Sequence, residues 1–440
     1  MKMRNIVLGA LCLLSIICKA QSRPLTLNEA IALSLQNNFD IQLSRNDSLL
    51  AALDYAYANY SLLPRLSASG GLNFNNNNQK QVLADGTKRE SSGIKSHQTS
   101  ASLNLNWTLF DGFRMFIARD RLSSLVELTE LQIKNQVINT VADVMRLYHD
   151  IIRQEQQLRA IQEQMQLSEE RLKIAQYKFD IGTGAKPDML QAQIDLNSQR
   201  SAALTQETNI NKTKEQLNQL LVLPASTNFT IADTSIIINS NLTLDSIRNN
   251  ITATNPELLV AQQNLEIAEL DLKLRRAERF PVVEFNSAYN FNRTDNKAVI
   301  NPFQPLFNQN RGLNYGLTAT IPIFNGFNNR RLIKAAELNI QSQQLLLDRN
   351  AALVQANVAN AYRDYDLHKR TLALEEDNIR LVRENLFIAR ERYRLGISTF
   401  IEMREAQQSL ADAMNRLIQA RYNTKIAEIE LLRLRGDLVR

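Results

Sequence analysis

Four segments of the chain alternate strictly between apolar and polar residues. In the second of them, Leu103, Leu105 and Trp107 are separated by Asn104 and Asn106. Each segment is about ten residues long, which is the length that a tilted β-strand needs to cross a bilayer. The apolar side carries no charge and the polar side is mostly amide and hydroxyl, so one side suits lipid and the other suits water. The pattern predicts membrane-crossing strands at about 65–76, 98–110, 282–292 and 312–324.

A second interpretation of this alternation is an antiparallel sheet with one side against a protein core. The long polar stretches 76–97 and 293–311 favour the membrane interpretation, because membrane barrels carry long polar surface loops. Four strands cannot close such a barrel, since the smallest have about eight, and open sheet edges are forbidden in lipid. If these are membrane strands, several chains must therefore build one barrel together.

Outside the strand pairs, the sequence has the seven-residue period of coiled-coil helices. The stretch 113–180 contains neither proline nor glycine, and it predicts a helix of about 100 Å at about 1.5 Å per residue. We predict long helices at 113–181 and 327–395, and returning helices at 186–221 and 400–435. A sustained period of seven implies that they pack side by side over a long distance. The seam of the first long helix comprises Val144, Ile151, Leu158, Met165, Leu172 and Phe179.

Matched motifs show that the chain is internally duplicated. The motif Phe-Asp-Gly-Phe at 110–113 recurs as Phe-Asn-Gly-Phe at 324–327. The motif Leu-Thr-Leu at 25–27 recurs at 242–244. Several matched motifs that occur in the same order and at consistent sequence offsets indicate a tandem repeat rather than chance.

The duplication predicts how the chain is divided. The first repeat occupies 21–221, a linker occupies 222–241, and the second repeat occupies 242–440. Each repeat is predicted to contain, in order, a helix, a strand, a polar loop, a strand, a very long helix, a sharp turn and a helix. The linker contains a β-branched run at 234–238 that could form a short strand.

Residues 1–20 have the pattern of a secretory signal peptide. Two basic residues precede an apolar run at 6–17, and the small residues Cys18 and Ala20 suit a cleavage site after Ala20. The alternative, a membrane anchor, would need a longer run, and no later run reaches the length of a spanning helix either. Cleavage would remove Cys12 and Cys18, leaving no thiol chemistry. The bulky residue before Cys18 argues against its lipidation.

Composition excludes several classes of function. Lysine and arginine number 51 against 45 acids, and the predicted mature chain carries 48 − 45 = +3. Both signs are mixed along the chain, which disfavours nucleic acid as a partner. The histidines His97, His149 and His368 are scattered, and the sequence has no phosphate-binding loop, zinc motif or nucleophile elbow. We therefore expect neither an enzyme nor a cofactor.

Two turn motifs at the ends of the long helices are similar to each other. In the first, Tyr-Lys-Phe-Asp-Ile-Gly at 177–182 continues to Asp188. In the second, Tyr-Arg-Leu-Gly at 393–396 continues to Glu405. With the signal peptide, the repeat, the strand pairs and the long helices, these turns resemble the TolC-like outer-membrane efflux proteins over essentially the whole mature chain.

The resemblance implies an α+β membrane protein in which each chain is a tandem-repeat protomer of a homotrimer. Four strands per chain would form one twelve-stranded β-barrel in outer-membrane lipid, and the helices would form an α-helical barrel in the periplasm. A periplasmic adaptor (membrane fusion) protein and an inner-membrane pump of the RND or ABC type would dock at the turns. The chain would lie in the cell outer membrane and extend into the periplasm.

The resemblance also implies roles for individual residues. Glu402 and Glu405 match acids that ring the closed aperture in the family, which usually has aspartates there, and Asp188 takes the related place in the first turn. Arg404 and Arg394 are candidate basic partners of this ring. The alternative, favoured by pattern alone, is that these acids are solvated residues at helix N-termini. The residues that match the adaptor-docking turns are Ile181, Gly182, Thr183, Leu395, Gly396 and Ile397.

Two functions remain for comparison. The first is a channel-tunnel that gives a passive exit duct to a tripartite efflux or type I secretion system and is gated at the periplasmic turns. Two glutamates from each of three chains would make that gate favour cations. The second is a coiled-coil structural or interaction protein of the periplasm or cell surface, which explains the helices but not the alternating strands.

Overall fold

The structure, a computed structural model, describes residues 24–239, 242–249, 251–301 and 303–438. The predicted signal peptide at 1–20, with both cysteines, lies outside the described residues. The chain divides into two compact units, each built from separate stretches of sequence. The helical unit comprises the described residues of Met1–Asn46, Leu131–Val260 and Asp348–Arg440. The sheet unit comprises Asp47–Glu130 and Ala261–Leu347.

The first half of the chain contains two short helices, a strand pair, a long helix and a returning helix. Its elements are β1 (Pro24–Leu25), α1 (Leu27–Asn37), α2 (Phe39–Ala58), a 3₁₀ turn (Asn59–Leu62), β2 (Arg65–Val82), β3 (Lys88–Phe110), α3 (Arg114–Asp180), α4 (Lys186–Leu221) and β4 (Thr230–Ile231). The N-terminus of α1 carries a capping box, in which Thr26 and Glu29 satisfy each other's backbone amides.

The second half repeats this order. Its elements are α5 (Leu244–Arg248), α6 (Ile251–Thr254), α7 (Pro256–Ala277), β5 (Val282–Asn296), β6 (Phe307–Thr320), α8 (Asn328–Arg394) and α9 (Phe400–Arg435). The long helices α3 and α8 both span 67 residues, and the returning helices α4 and α9 both span 36. The equal lengths are what a duplicated chain should show.

Strands β2, β3, β5 and β6 form one antiparallel sheet in that order. Since side chains alternate between faces, the register decides which residues share a face. The polar residues share one face, as in the row formed by Ser69, Ser102, Asn290 and Gly312. The apolar residues share the other, as in the row formed by Ala68, Leu103, Tyr289 and Leu313.

The strands extend further than the alternation predicts. The predicted polar loop at 76–97 is wrong, because most of these residues lie in strands, and the loop predicted at 293–311 is shorter, between Asn296 and Phe307. Strands β2 and β3 stay paired up to Val82 and Lys88. Alternation stops where the need for an apolar face stops, but a hairpin with polar residues on both faces keeps its backbone hydrogen bonds.

Two other strand predictions differ from the structure, one at its end and one altogether. The last strand, predicted at 312–324, ends at Thr320, because Pro322 has no amide hydrogen for the ladder. The linker run 234–238 forms no strand, and its first carbonyl instead accepts hydrogen bonds from side chains of α3. The linker strand is β4, which pairs with β1 in parallel.

Buried asparagines interrupt the helix that the sequence predicts at the start of each repeat. Asn38 separates α1 from α2, and its side-chain oxygen accepts from the backbone amide of Ile41 at 3.2 Å. The equivalent Asn255 caps α7 in the same way at 3.0 Å. Their side-chain amides donate to carbonyls at the ends of the returning helices, to Leu220 at 3.2 Å and to Leu434 at 2.8 Å. We call these contacts the asparagine clasps.

Seam residues form the core of the helical unit. Val144 and Ile151 of α3 are fully buried against Leu217 of α4. The second repeat builds an equivalent cluster around Val358 and Leu431. No helix within the described ranges has the length and apolar content that crossing a membrane requires.

His149 of α3 lies in the core of the first repeat and is only 5% exposed. Its Nδ1 donates to the carbonyl of Met145 at 2.7 Å. Burial, with a smaller contribution from the charge of Lys425, lowers the pKa of His149 to about 4. The imidazole is therefore neutral in the folded chain at neutral pH.

The neutral His149 makes stability depend on pH. Between the unfolded pKa near 6.5 and the folded value of about 4, the unfolded chain binds more protons, so stability falls as pH falls. The loss reaches about 3 kcal/mol at ~1.4 kcal/mol per unit of pKa. We expect His149→Gln to flatten this pH dependence in denaturant unfolding followed by circular dichroism. His368→Gln, at a half-buried position on α8, is the control, and equal slopes for H149Q and the unsubstituted protein would contradict the prediction.

The two Phe-x-Gly-Phe motifs join the strands to the long helices through left-handed glycines. Gly112 has φ +74° and Gly326 has φ +64°. A Cβ at Gly112 would lie 2.6 Å from the carbonyl oxygen of Ala277 and 2.7 Å from the Cβ of Phe280. A Cβ at Gly326 would meet no described atom within 4 Å. The duplicated motif thus supplies one crowded and one open glycine.

This difference predicts unequal effects of the same substitution. Gly326→Ala should cost about 1 kcal/mol, from the left-handed backbone alone. Gly112→Ala adds overlap with backbone and a ring, for a total of about 2–4 kcal/mol. Thermal unfolding of the two variants measures the difference, and equal losses would show that crowding at Gly112 is relieved without cost.

Candidate functional site

The two helix-to-helix turns have the same backbone construction. The first turn, 181–185, has Gly182 at φ +77°, and the second turn, 395–399, has Gly396 at φ +75°. Beyond each glycine, the next amide returns to a carbonyl of the last helical turn, to Lys178 at 2.9 Å in the first case. This is a Schellman-type helix end, which requires the left-handed residue that glycine supplies.

Acidic residues begin the helix after each turn. Asp188 lies in the first turn of α4, and Glu402 lies in the first turn of α9. The hydroxyl of Thr399 accepts from the amide of Glu402 at 3.2 Å and caps α9. Negative charge is favoured at both places by the unpaired amides of the helix N-terminus.

The outermost residues of the turns are exposed, including several large apolar ones. Ile181 is 54% exposed, Leu395 is 67% exposed and Ile397 is 65% exposed. The sequence-predicted residues at these two turns are all exposed: Ile181, Gly182, Thr183, Leu395, Gly396 and Ile397. Three large aliphatic side chains in water at two neighbouring turns mark a surface suited to a partner.

A cleft of about 930 Å³ lies between the two turns. The ammonium of Lys178 crosses it, donating to the carbonyl of Tyr393 at 2.9 Å and lying 3.9 Å from the centre of the tyrosine ring. Nothing in the sequence indicated this contact, because the two residues lie in different repeats. Other residues that line the cleft are Asp188, Arg394, Ser398 and Phe400.

Two polar groups inside the cleft have unusual surroundings. Burial raises the pKa of the Tyr393 hydroxyl, and the nearby charge of Asp188 raises it further, so this tyrosine stays protonated and can donate. The hydroxyl of Ser398 is buried and has no hydrogen-bond partner among the described residues. The cleft therefore offers groups for hydrogen bonding within a largely apolar lining.

The predicted charged residues do not pair with one another inside the chain. The guanidinium of Arg394 pairs with Glu391 at 2.8 Å, and that of Arg404 pairs with Asp195 at 3.3 Å. Glu402 and Glu405 are exposed, and the structure gives their carboxylates no ion pair within the ranges it describes. Arg394 and Arg404 therefore leave these two acids uncompensated in the protomer.

A partly buried ion cluster lies behind the turns. Arg171, 3% exposed, donates to Asp195 at 2.6 Å, and Arg404 approaches the same carboxylate oxygen. Gln191 donates to the other oxygen at 2.8 Å. Burial lowers the pKa of Arg171, and the adjacent Asp195 partly offsets this effect. We call Arg171, Asp195 and Arg404 the ionic triad; it joins α3 and α4 to α9.

Apolar packing surrounds the triad. The guanidinium of Arg171 lies 5.2 Å from the centre of the Phe400 ring. Tyr393, Phe400 and Met403 are buried in the same cluster. Sequence reasoning missed Arg171 and Asp195, because a single arginine or aspartate on a long polar helix gives no indication of its partner.

The histidines take no part in this site. His97 lies in β3, His149 in α3 and His368 in α8. In the part of the chain that the structure describes, no three histidine, cysteine, aspartate or glutamate side chains come together as metal ligands.

Comparisons with known proteins agree with the fold and the turns. The sequence model of the family described as outer membrane efflux protein matches residues 30–222 and 247–437. Protein CyaE of Bordetella pertussis is 24% identical over 77% of this chain and 71% of its own length. Outer membrane protein TolC of Vibrio cholerae is 20% identical over 86% of this chain and 83% of its own.

Solved structures show the same architecture. The outer-membrane channel OprN superposes with a TM-score of 0.78, at 16% identity, over 93% of this chain and 90% of its own. This similarity confirms the predicted α+β, tandem-repeat fold class. The family match covers both repeats and confirms the resemblance drawn from the turns. The chain belongs to the outer membrane efflux protein family, and it is a channel protein of efflux or secretion that lies in the outer membrane and extends into the periplasm.

Proposed function

We propose that the chain forms a homotrimeric, passive exit duct for a tripartite efflux or type I secretion system, gated at the two helix turns. The observation that carries this proposal is the four-stranded sheet, whose apolar face is free of charge from the row of Trp107 to the row of Leu103, opposite a charge-poor polar face. Such a sheet fits a wall between lipid and water.

The edges of the sheet support a trimer. In the described part of the chain, β2 and β6 each have a strand on one side only. Unpaired backbone groups cost several kcal/mol each in hydrocarbon, so a membrane sheet must close. Pairing β2 of one copy with β6 of the next closes a barrel, and three copies of four strands give twelve. This number lies within the range of single-pore membrane barrels.

The turns supply the gate in this proposal. In this trimer, three copies of Glu402 and Glu405 put six carboxylates around the symmetry axis, and Asp188 holds the related place in the first turn of α4. Because Arg404 is engaged by Asp195 and Arg394 by Glu391, the ring keeps its negative charge. A ring of uncompensated carboxylates attracts cations and repels anions.

The exposed apolar residues of the turns are the proposed docking surface for a periplasmic adaptor. Ile181, Leu395 and Ile397 offer aliphatic anchors beside glycines that allow close approach. An inner-membrane pump of the RND or ABC type would supply energy, since the sequence has no nucleotide-binding loop. The duct itself would be passive.

Conductance tests the duct and its acidic gate together. Detergent-purified trimers should form channels in planar bilayers, and multivalent cations added on the periplasmic side should block them. In the double variant Glu402→Gln with Glu405→Gln, the blocking concentration should rise about tenfold or more, because most of the local charge is gone.

Glu384→Gln is the matched control for this experiment. Glu384 is an exposed glutamate on α8, before the second turn, and its loss should leave block unchanged. Unchanged block in the double variant would remove Glu402 and Glu405 from the gate. Failure of the unsubstituted trimers to conduct would overturn the duct and favour a structural coiled-coil role.

The ionic triad should hold the turns in their resting arrangement. Asp195→Asn leaves the buried charge of Arg171 uncompensated, which costs about 3–5 kcal/mol for a buried pair. We expect a lower thermal unfolding temperature and a severalfold higher resting conductance. Glu169→Gln is the control, because its pair with Arg200 joins the same two helices but is exposed at 3.6 Å and contributes little. Resting conductance that is equal in D195N and E169Q would exclude the triad from gating.

A further inference from the structure

The polar face of the sheet is lined mainly by neutral side chains, and this composition bears on which solutes a barrel made from it would conduct. Across the four strands, this face is lined by amides and hydroxyls, with asparagine the most frequent residue. The lining of β2 and β3 comprises Arg65, Ser67, Ser69, Gly71, Asn73, Asn75, Ser96, Gln98, Ser100, Ser102, Asn104, Asn106 and Thr108. That of β5 and β6 comprises Glu284, Asn286, Ala288, Asn290, Asn292, Thr294, Asn308, Asn310, Gly312, Asn314, Gly316, Thr318 and Thr320.

Charge is almost absent from this lining. Its described positions hold one cation, Arg65, and one anion, Glu284. Both side chains are exposed, and neither forms an ion pair within the described chain. Other charged residues of the β2–β3 hairpin, such as Lys88 and Arg89, lie at its turn end. They are beyond the rows whose opposite face is apolar.

The register places Arg65 and Glu284 near the same end of the strands. Arg65 lies opposite Asn106, and Glu284 lies opposite Thr108, two residues further along β3. The two residues are separated by two strand spacings, about 10 Å across the sheet. This is comparable with the Debye length at physiological ionic strength, so a passing ion senses both charges together.

Some neutral side chains of the lining form hydrogen bonds with one another. Ser69 and Ser102 are joined hydroxyl to hydroxyl at 2.8 Å, and Asn104 donates to Ser102 at 2.9 Å. Asn286 donates to Thr318 at 3.3 Å. Asparagine and serine can each donate and accept, so the lining can solvate a cation, an anion or a neutral polar group equally.

We propose that the barrel is charge-balanced, with Arg65 and Glu284 as the residues that set the balance, and that it accepts polar solutes of either sign. This inference rests on the proposed function, because a closed trimer turns the polar face into a lumen. Three arginines and three glutamates then sum to zero. Selection by charge would belong to the helix turns and not to the barrel.

Reversal potentials across a salt gradient test this balance in purified trimers of the full mature chain in planar bilayers. Glu284→Gln leaves three uncompensated arginines and should lower the potassium-to-chloride permeability ratio by about threefold. Arg65→Gln should raise the ratio by a similar factor. The double variant E284Q/R65Q should return to the ratio of the unsubstituted protein, which a merely structural role would not reproduce.

Lys88→Gln, at the end of the hairpin, is the control and should leave the ratio unchanged. Migration as a folded trimer in a detergent gel shows that each variant has assembled. Shifts of the same sign in both single variants, or no shift in either, would overturn the charge balance while leaving the duct in place. Absence of conductance in the unsubstituted trimer would overturn the duct itself, and the lumen with it.

Discussion

The hydrogen-bonding demand of the peptide backbone in hydrocarbon is the constraint on which the rest of this structure depends. Among the residues that the structure describes, strands β3 and β5 are paired on both sides, whereas β2 and β6 are each paired on one. Water would satisfy those edges in solution, but lipid cannot. In the proposed membrane barrel, the sheet of one chain is therefore completed by the sheets of other copies. The apolar face, the polar lining and the association of chains are therefore consequences of one requirement.

The sequence predicted the helices more closely than the strands. The long helix expected at 113–181 is found at Arg114–Asp180, because its interior has no proline or glycine and a left-handed glycine ends it. The alternating pattern marked only the part of each strand that needs an apolar face. It carried no information about the polar hairpin beyond, where backbone pairing alone maintains the strand.

The site was predictable only in part. Gly182 and Gly396 could be identified, since a sharp turn between two helices needs a residue that tolerates positive φ. The contacts of the charged residues could not be predicted from the sequence. Asp195 lies 24 residues from Arg171 in sequence, and Arg404 comes from the other repeat. Asn38 was missed as a helix break, although asparagine is a preferred N-cap residue and Asp40 places an acid in the first turn that follows it.

The asparagine clasps have a consequence for the ancestry of the chain. Asn38 ties the beginning of the first repeat to Leu220 near its end, and Asn255 does the same with Leu434 in the second. Both residues of each clasp belong to the same repeat. A shorter ancestor with a single copy would have carried a whole clasp, and six such chains would supply the helices and strands that three duplicated chains supply in the proposed trimer. Fusion of two copies thus halves the number of chains that must assemble, and it requires no new hydrogen bond between the two repeats in place of the clasps.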